Sequence, residues 1–238
     1  MTSDILLTII IPCYNEKNTI EEIVQRVNEI NFNKEIILVD DCSIDGSREI
    51  IMSKLKNKVE KVILHNSNLG KGAAIISASK FINGDIVIIQ DADLEYDPNE
   101  YSKLVEPIIK KQYEVVYGSR ALKEENFKKK LTFHQWYRVL GNKVLTIFSN
   151  LINNQKLTDA HTCYKVFNSK VFKELNLVSK DFTFCPEVTT KISKKKIKIY
   201  EVPITYNGRS YSEGKKIKHK DFFLAIYSLI RFRYFSNK

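Results

Sequence analysis

The stretch GDIVIIQDADLEYDP, residues 84–98, runs from an apolar strand straight into four carboxylates, Asp91, Asp93, Glu95 and Asp97. A near-continuous apolar run such as DIVIIQ (85–90) is how a strand buried on both faces reads. Strands of that kind belong to parallel sheets covered by helices on both sides. The acidic cluster then stands at the strand's carboxyl end, where open α/β sheets bind their ligands.

The same alternation recurs outward from this stretch. ILLTIII (5–11), EIILVD (35–40), KVILH (61–65) and EVVYG (114–118) read as strands. NTIEEIVQRVNEI (18–30) puts Ile20, Ile23, Val24, Val27 and Ile30 on one helical face, with Thr19 and Glu22 spaced as a capping box. DGSREIIMSKLKN (45–57), GKGAAIISASKFI (70–82) and 98–111 read as further helices. Successive strand–helix units predict an α/β fold with a doubly wound, mostly parallel sheet and right-handed crossovers. Past residue 120 the pattern loosens. It predicts a long helix over 132–153, a short helix over TDAHTCYKVF (158–167), a strand over KIKIYEVPITY (196–206), a basic loop (207–220) and a final helix over 221–235. The length suits one domain, 1–238.

Four polar segments follow the strands and share one address: PCYNE (12–16), DDCSIDGS (40–47), NSNLGKGAA (66–74) and DADLE (91–95). Their convergence on one crevice is stronger evidence for a site than any one of them. Asp91 and Asp93, as D-x-D at a strand's end, can reach one hard divalent cation, Mg²⁺ or Mn²⁺, which prefers few carboxylates plus substrate phosphates. A lone D-x-D is more often a turn or a helix cap. NLGKGAA lacks the spacing of a nucleotide-binding P-loop, and no G-x-G-x-x-G follows the first strand. Gly70 and Gly72 therefore read as a helix start where backbone approaches backbone. Lys71 either meets a diphosphate or serves that helix start.

Charge is split along the chain. Residues 1–120 hold 14 Lys and Arg against 19 Asp and Glu, a balance of −5, whereas 121–238 hold 24 against 9, a balance of +15. A basic half of that size favours an anionic partner, nucleic acid or membrane, over plain solvation. No helix-turn-helix, RNA-recognition or zinc pattern supports nucleic acid. The four cysteines form no C-x-x-C pair and fit a reducing compartment. The amino terminus reads as a strand rather than a signal peptide, and no apolar run is long enough to span a membrane.

TIIIPCYNE, ILVDDCSIDGS, NLGKGAA, IIQDADLEYDP and VYGSR together resemble glycosyltransferase family 2, which has the GT-A fold. Within it they look most like the polyprenyl-phosphate sugar transferases of the dolichol-phosphate mannosyltransferase group. The likeness is strong over 5–120 and continues through TDAHTCYKVF, FTFCPEV and the 209–215 loop. It implies a nucleotide-sugar-binding half, 1–120, and an acceptor-binding half, 121–238. Pro12, Tyr14 and Glu16 would line base and ribose, and Asp41, with Asp40 beside it, would bond the base. Asp91, Ala92 and Asp93 would hold the metal-bridged diphosphate. Glu95, where many members have Gln, could add a metal ligand. Arg120 would contact donor or acceptor phosphate. Arg209 and Lys215 match basic residues of a loop that closes on the phosphates, altered here to GRSYSEGKK.

The implied reaction is a metal-dependent, inverting transfer of a hexose from GDP-mannose or a UDP-glucose type donor to a polyprenyl phosphate. An acceptor phosphate needs no strong base. A saccharide hydroxyl, as in cell-envelope glycan synthesis, would need one, and Asp159 is then the candidate, with a loop cap as its other reading. His161 reads as structural. Trp136, Tyr137, Phe148, Phe222, Phe223 and Phe235 either lie in a membrane interface or cover the sheet. The expected setting is the cytoplasmic side of the inner membrane, peripheral or held by a membrane-protein partner. A nucleotidyltransferase, a nucleic-acid binder and a catalytically dead scaffold are the rivals.

Overall fold

The computed structural model describes residues 5–123, 133–209 and 219–236, the side chains of 133–138 and 219–220 excepted. Four strands form where the apolar runs predict them: β1 (Leu7–Cys13), β2 (Lys34–Asp40), β3 (Lys61–Leu64) and β4 (Ile86–Ile89). They pair in parallel in the order β3-β2-β1-β4. The sheet continues through β6 (Lys165–Asn168) and β5 (Val115–Ser119) to β7 (Ile199–Pro203), seven strands among the described residues.

β6 corrects the short helix expected over 158–167. It lies antiparallel between β4 and β5, with Ile88 opposite Val166 and Val115 opposite Phe167. Three buried residues in a row carry no period that separates strand from helix. Partners some eighty and fifty residues upstream decide it. The antiparallel direction matters for function, because the residues entering β6, 158–164, are thereby delivered to the carboxyl ends of β4 and β5.

Successive β1 residues point to opposite sides: Ile9 and Ile11 into one core layer, Ile10 into the other. The first layer is closed by α1 (Ile20–Glu29) and α4 (Tyr101–Ile109). The second is closed by α3 (Lys71–Ser79), α6 (Ser169–Glu174) and α7 (Phe184–Lys194). α2 (Ser47–Ile50) runs on through a π turn, Ile51–Leu55, and a 3-10 turn, Lys56–Lys58. α1 buries Ile20, Ile23, Val24 and Val27 as its period requires. Its capping box does not form: the Thr19 hydroxyl turns back and donates to the Glu16 carbonyl (3.2 Å) and carboxylate (3.1 Å). α5 (Phe133–Asn153) and α8 (His219–Ile230, continued by a π turn, Arg231–Phe235) pack on each other and on α7.

Candidate active site

β4 ends at Ile89, and the side chain of Gln90 anchors the turn beyond it. Its Oε1 accepts the hydroxyls of Tyr101 and Tyr164, both at 2.7 Å. Leu94, at φ +60°, then turns the chain, and the Asp93 carboxylate accepts the Glu95 amide at 3.2 Å. The carboxylates that emerge meet cations delivered from elsewhere. Lys71, the first residue of α3, places Nζ 2.5 Å from Asp91 and donates to Cys163 Sγ at 3.1 Å. Arg209, beyond β7, reaches Asp93 at 3.1 Å and grips Glu16 with both terminal nitrogens, at 2.8 and 3.0 Å.

The electrostatics reflect burial and like charge. Burial, with Asp91 and Glu95 close by, pushes the Asp93 carboxyl up to about 7 against the pull of Arg209. Burial works against the Lys71 ammonium, but Asp91 outweighs it and holds the group well above its ordinary range. Crowded carboxylates of this kind are what a hard divalent cation relieves, so Asp91 and Asp93 fit Mg²⁺ or Mn²⁺. Among the described residues no three His, Cys, Asp or Glu side chains converge as a metal cage. Glu95, offered by the sequence as a third ligand, accepts the Arg209 amide at 2.8 Å and the Tyr206 hydroxyl at 2.9 Å. Two protein carboxylates, with the remaining positions left to diphosphate and water, is the usual Mg²⁺ arrangement.

Pro12 and Tyr14 sit half-buried at the end of β1, and Ala92 is buried between the two aspartates. Asp40 and Asp41, expected to bond a base, have their carboxylates engaged within the protein. Asp40 accepts Arg48 Nε at 2.6 Å. Asp41 accepts the amides of Leu69 (2.9 Å) and Gly70 (2.7 Å) and pairs with His65 Nδ1 at 2.7 Å. His65 Nε2 in turn lies 2.8 Å from the Ser77 hydroxyl. Asp41 therefore ties the end of β2 to the loop that opens α3.

The glycines of NLGKGAA answer to a neighbouring backbone. A Cβ on Gly70 would stand 2.5 Å from the Lys180 carbonyl oxygen, and one on Gly72 would stand 2.1 Å from that of Ser179. Lys180 O accepts the Ala73 amide at 2.8 Å. The 179–180 segment thus lies across the α3 amino terminus, and only glycine admits it there.

Arg120, just past β5, meets Asp159, delivered by the antiparallel β6. Nε and one terminal nitrogen bond the two carboxylate oxygens at 2.6 and 2.8 Å, and the Arg120 amide adds a third contact at 3.2 Å. Burial alone would raise the Asp159 carboxyl, but Arg120 holds it below the usual carboxylate range. The Tyr206 ring lies 5.0 Å under the guanidinium. Glu201 of β7 accepts the Asp159 amide at 2.9 Å and the Thr158 amide at 2.7 Å, which fixes the loop. His161 is neutral: burial, then Lys165, pull it down to about 4.

The structure thus brings Glu16, Lys71, Asp91, Asp93, Glu95 and Arg209 together and sets Arg120–Asp159 beside them through Tyr206. Lys215 lies outside the described residues. Sequence reasoning missed Arg48, His65, Cys163, Glu201 and Tyr206. Each acts through a partner distant in the chain, and none sits in a local pattern that marks it.

The profile of Glycosyl transferase family 2 matches residues 8–176. UDP-N-acetylglucosamine–dolichyl-phosphate N-acetylglucosaminyltransferase of Methanococcus voltae is 31% identical over 90% of this chain and 90% of its own. Undecaprenyl-phosphate 4-deoxy-4-formamido-L-arabinose transferase of Edwardsiella ictaluri is 27% identical over 88% of this chain. The dolichol-phosphate mannosyltransferase of Pyrococcus furiosus is 29% identical over 91%. The alignments span only 62% and 60% of those two longer relatives. Among solved structures, glucosyl-3-phosphoglycerate synthase from Mycobacterium tuberculosis, in complex with Mn²⁺, UDP and phosphoglyceric acid, superposes with a TM-score of 0.71 at 15% identity. The match covers 99% of this chain and 81% of that one. Mannosyl-3-phosphoglycerate synthase from Rubrobacter xylanophilus gives 0.70 at 17%, covering 96% and 72%. These likenesses establish the GT-A fold, and with the profile spanning most of its length the chain belongs to glycosyltransferase family 2 and is a glycosyltransferase.

Proposed function

We propose that the chain transfers a hexose from a nucleotide sugar, of the GDP-mannose or UDP-glucose type, to a polyprenyl phosphate at a membrane surface, inverting the anomeric carbon. The observation that carries the reading is the pairing of Asp91 with Lys71 and of Asp93 with Arg209 at the end of β4. Carboxylates for a cation and cations for phosphates are stored there against each other, ready to exchange partners when a metal–diphosphate enters. A divalent cation held by Asp91 and Asp93 supplies charge stabilisation to the diphosphate leaving group. Lys71 and Arg209 are the side chains beside it that take up the remaining negative charge. Arg120, oriented by Asp159, faces phosphate of donor or acceptor. The acceptor oxyanion bonds the anomeric carbon as the bond to the diphosphate breaks, and a nucleoside diphosphate leaves.

What supports a phosphate acceptor is the state of Asp159. Both its oxygens are committed to Arg120, and it is held ionised with little affinity for a proton. A phosphate needs no base, whereas a hydroxyl does. Three curated relatives also carry a polyprenyl or dolichyl phosphate in their names. The proposed setting is the cytoplasmic side of the inner membrane, with the chain peripheral or held by a membrane-protein partner. The test is incubation with UDP- and GDP-hexoses, Mn²⁺ or Mg²⁺ and a short polyprenyl phosphate in detergent, with Asp93→Ala as control. Lipid-linked sugar seen by mass and lost in the variant supports the reading. Donor turnover onto saccharide but never onto lipid phosphate overturns it.

A further inference from the structure

Glu95 holds one short segment at three points. Its Oε2 accepts the Tyr206 hydroxyl at 2.9 Å, its carbonyl accepts the Asn207 amide at 3.0 Å, and its Oε1 accepts the Arg209 amide at 2.8 Å. The chain that follows β7 is thereby clamped by a residue of the Asp91–Asp93 turn. The two ends of the clamped segment serve different places. Arg209 reaches Asp93 at 3.1 Å and Glu16 at 2.8 Å, among the carboxylates. The centroid of the Tyr206 ring lies 5.0 Å from the Arg120 guanidinium, which forks onto Asp159. A phenol that donates to a carboxylate is polarised toward phenolate, and its face then attracts a cation more strongly. The bond to Glu95 thus also tunes the hold of the ring on Arg120.

The ring is closely confined. Tyr96 packs on it with centroids 5.3 Å apart, and a Cβ on Gly208 would stand 2.7 Å from its Cε1. Glycine at 208 leaves the ring its place. Arg209 follows Tyr206 by three residues, a reach of at most about 10 Å, and the same carboxylate binds both. We propose that Tyr206 is a positioning residue that couples the two sides of the site: through Glu95 it responds to whether Arg209 stands on Asp93, and through its ring it sets the orientation of Arg120. The inference deepens the proposed function and rests on it. When a metal–diphosphate draws Arg209 from Asp93, the shift passes through the Glu95 clamp to the ring, and Arg120 turns from Asp159 toward acceptor phosphate. Donor and acceptor then bind cooperatively, and by linkage each raises the affinity for the other by one factor.

The test is calorimetric titration of the full chain in detergent with Mn²⁺–GDP or Mn²⁺–UDP and with a short polyprenyl phosphate, each alone and in the presence of the other. The wild type is expected to bind the polyprenyl phosphate about tenfold tighter once the nucleoside diphosphate is bound. Tyr206→Phe keeps the ring and loses the bond to Glu95. It should cut that factor below about twofold and raise the acceptor KM several-fold with the donor KM nearly unchanged. Gly208→Ala, which presses on the ring without removing a polar group, should cut the factor likewise. Arg120→Gln reads the coupling without any acceptor: it should change the affinity for Mn²⁺–nucleoside diphosphate about fivefold more in the wild type than in the Tyr206→Phe chain. Equal effects in the two backgrounds overturn the proposal, as does cooperativity that Tyr206→Phe leaves intact. The underlying reading fails differently. Coupling in the nucleotide titrations without binding of, or transfer to, polyprenyl phosphate sinks the acceptor alone. No nucleotide binding by the wild type sinks the donor reading and the proposal with it.

Discussion

Arg209 closes on Glu16 with both terminal nitrogens, at 2.8 and 3.0 Å, across 193 residues of chain. The same guanidinium reaches Asp93 at 3.1 Å. One cation therefore joins the ends of β1 and β4, and under the proposed function a metal–diphosphate arriving at Asp93 would compete with it. Arg209→Gln is expected to cost about 1–3 kcal/mol, because Glu16, Asp93 and Glu95 lose the cation they share. Mn²⁺ with a nucleoside diphosphate should then raise the melting temperature more in the variant than in the wild type, since no guanidinium has to leave. Equal ligand-induced shifts in thermal scanning would count against competition.

Asp159→Asn breaks the fork with Arg120 and leaves a buried guanidinium without its carboxylate. The expected loss is about 3–5 kcal/mol in urea unfolding, with kcat falling because Arg120 loses its orientation. Asp159 is ionised throughout the neutral range in either role, so kcat against pH from 6 to 9 should keep its shape in the variant. A new pH dependence confined to the variant would mean that Asp159 handles a proton.

Gly72→Ala sets a Cβ 2.1 Å from the Ser179 carbonyl oxygen, and backbone on both sides resists moving. A loss of about 1–3 kcal/mol is expected from the overpacking, with weaker donor binding as Lys71 moves with α3. Gly141, where a Cβ meets nothing within 4 Å, is the control: Gly141→Ala should be neutral or slightly stabilising. Melting temperatures of the two variants decide it.

His161 titrates near 4 in the fold, because it is buried beside Lys165. In the unfolded chain it titrates near its ordinary value, so between about 6.5 and 4 the unfolded state binds the extra proton. Its contribution is therefore present in full above about pH 6.5 and is lost as pH falls toward 4. Unfolding free energies from urea titrations at pH 7 and pH 4.5 should differ by less in His161→Asn than in the wild type, by roughly 1–2 kcal/mol. Identical acid limbs would show that His161 takes up its proton in the fold at the same pH as in the unfolded chain.

What local residues determined was the alternating half. β1, β2 and β4 are runs rich in Ile, Val and Leu buried on both faces, β3 is a shorter, half-exposed run at the sheet edge, and the helices between them carry a period of their own. Because carboxyl ends of parallel strands share one side of a sheet, the polar residues following each run were assigned to one crevice from the sequence alone, and the family resemblance lay in those segments. Tertiary structure decided the other half. Lys165, Val166 and Phe167 have no period, and they became a strand only because β4 and β5 stood open on either side. That insertion put Asp159 on Arg120. In the same way Gly72 is legible only against Ser179, Asp41 only against His65 and Gly70, and Glu95 only against Tyr206 and Arg209. Periodicity records what a residue does with neighbours three or four positions away. An ion pair across 193 residues leaves no such trace, because its free energy depends on where the fold, and not the chain, brings the two charges.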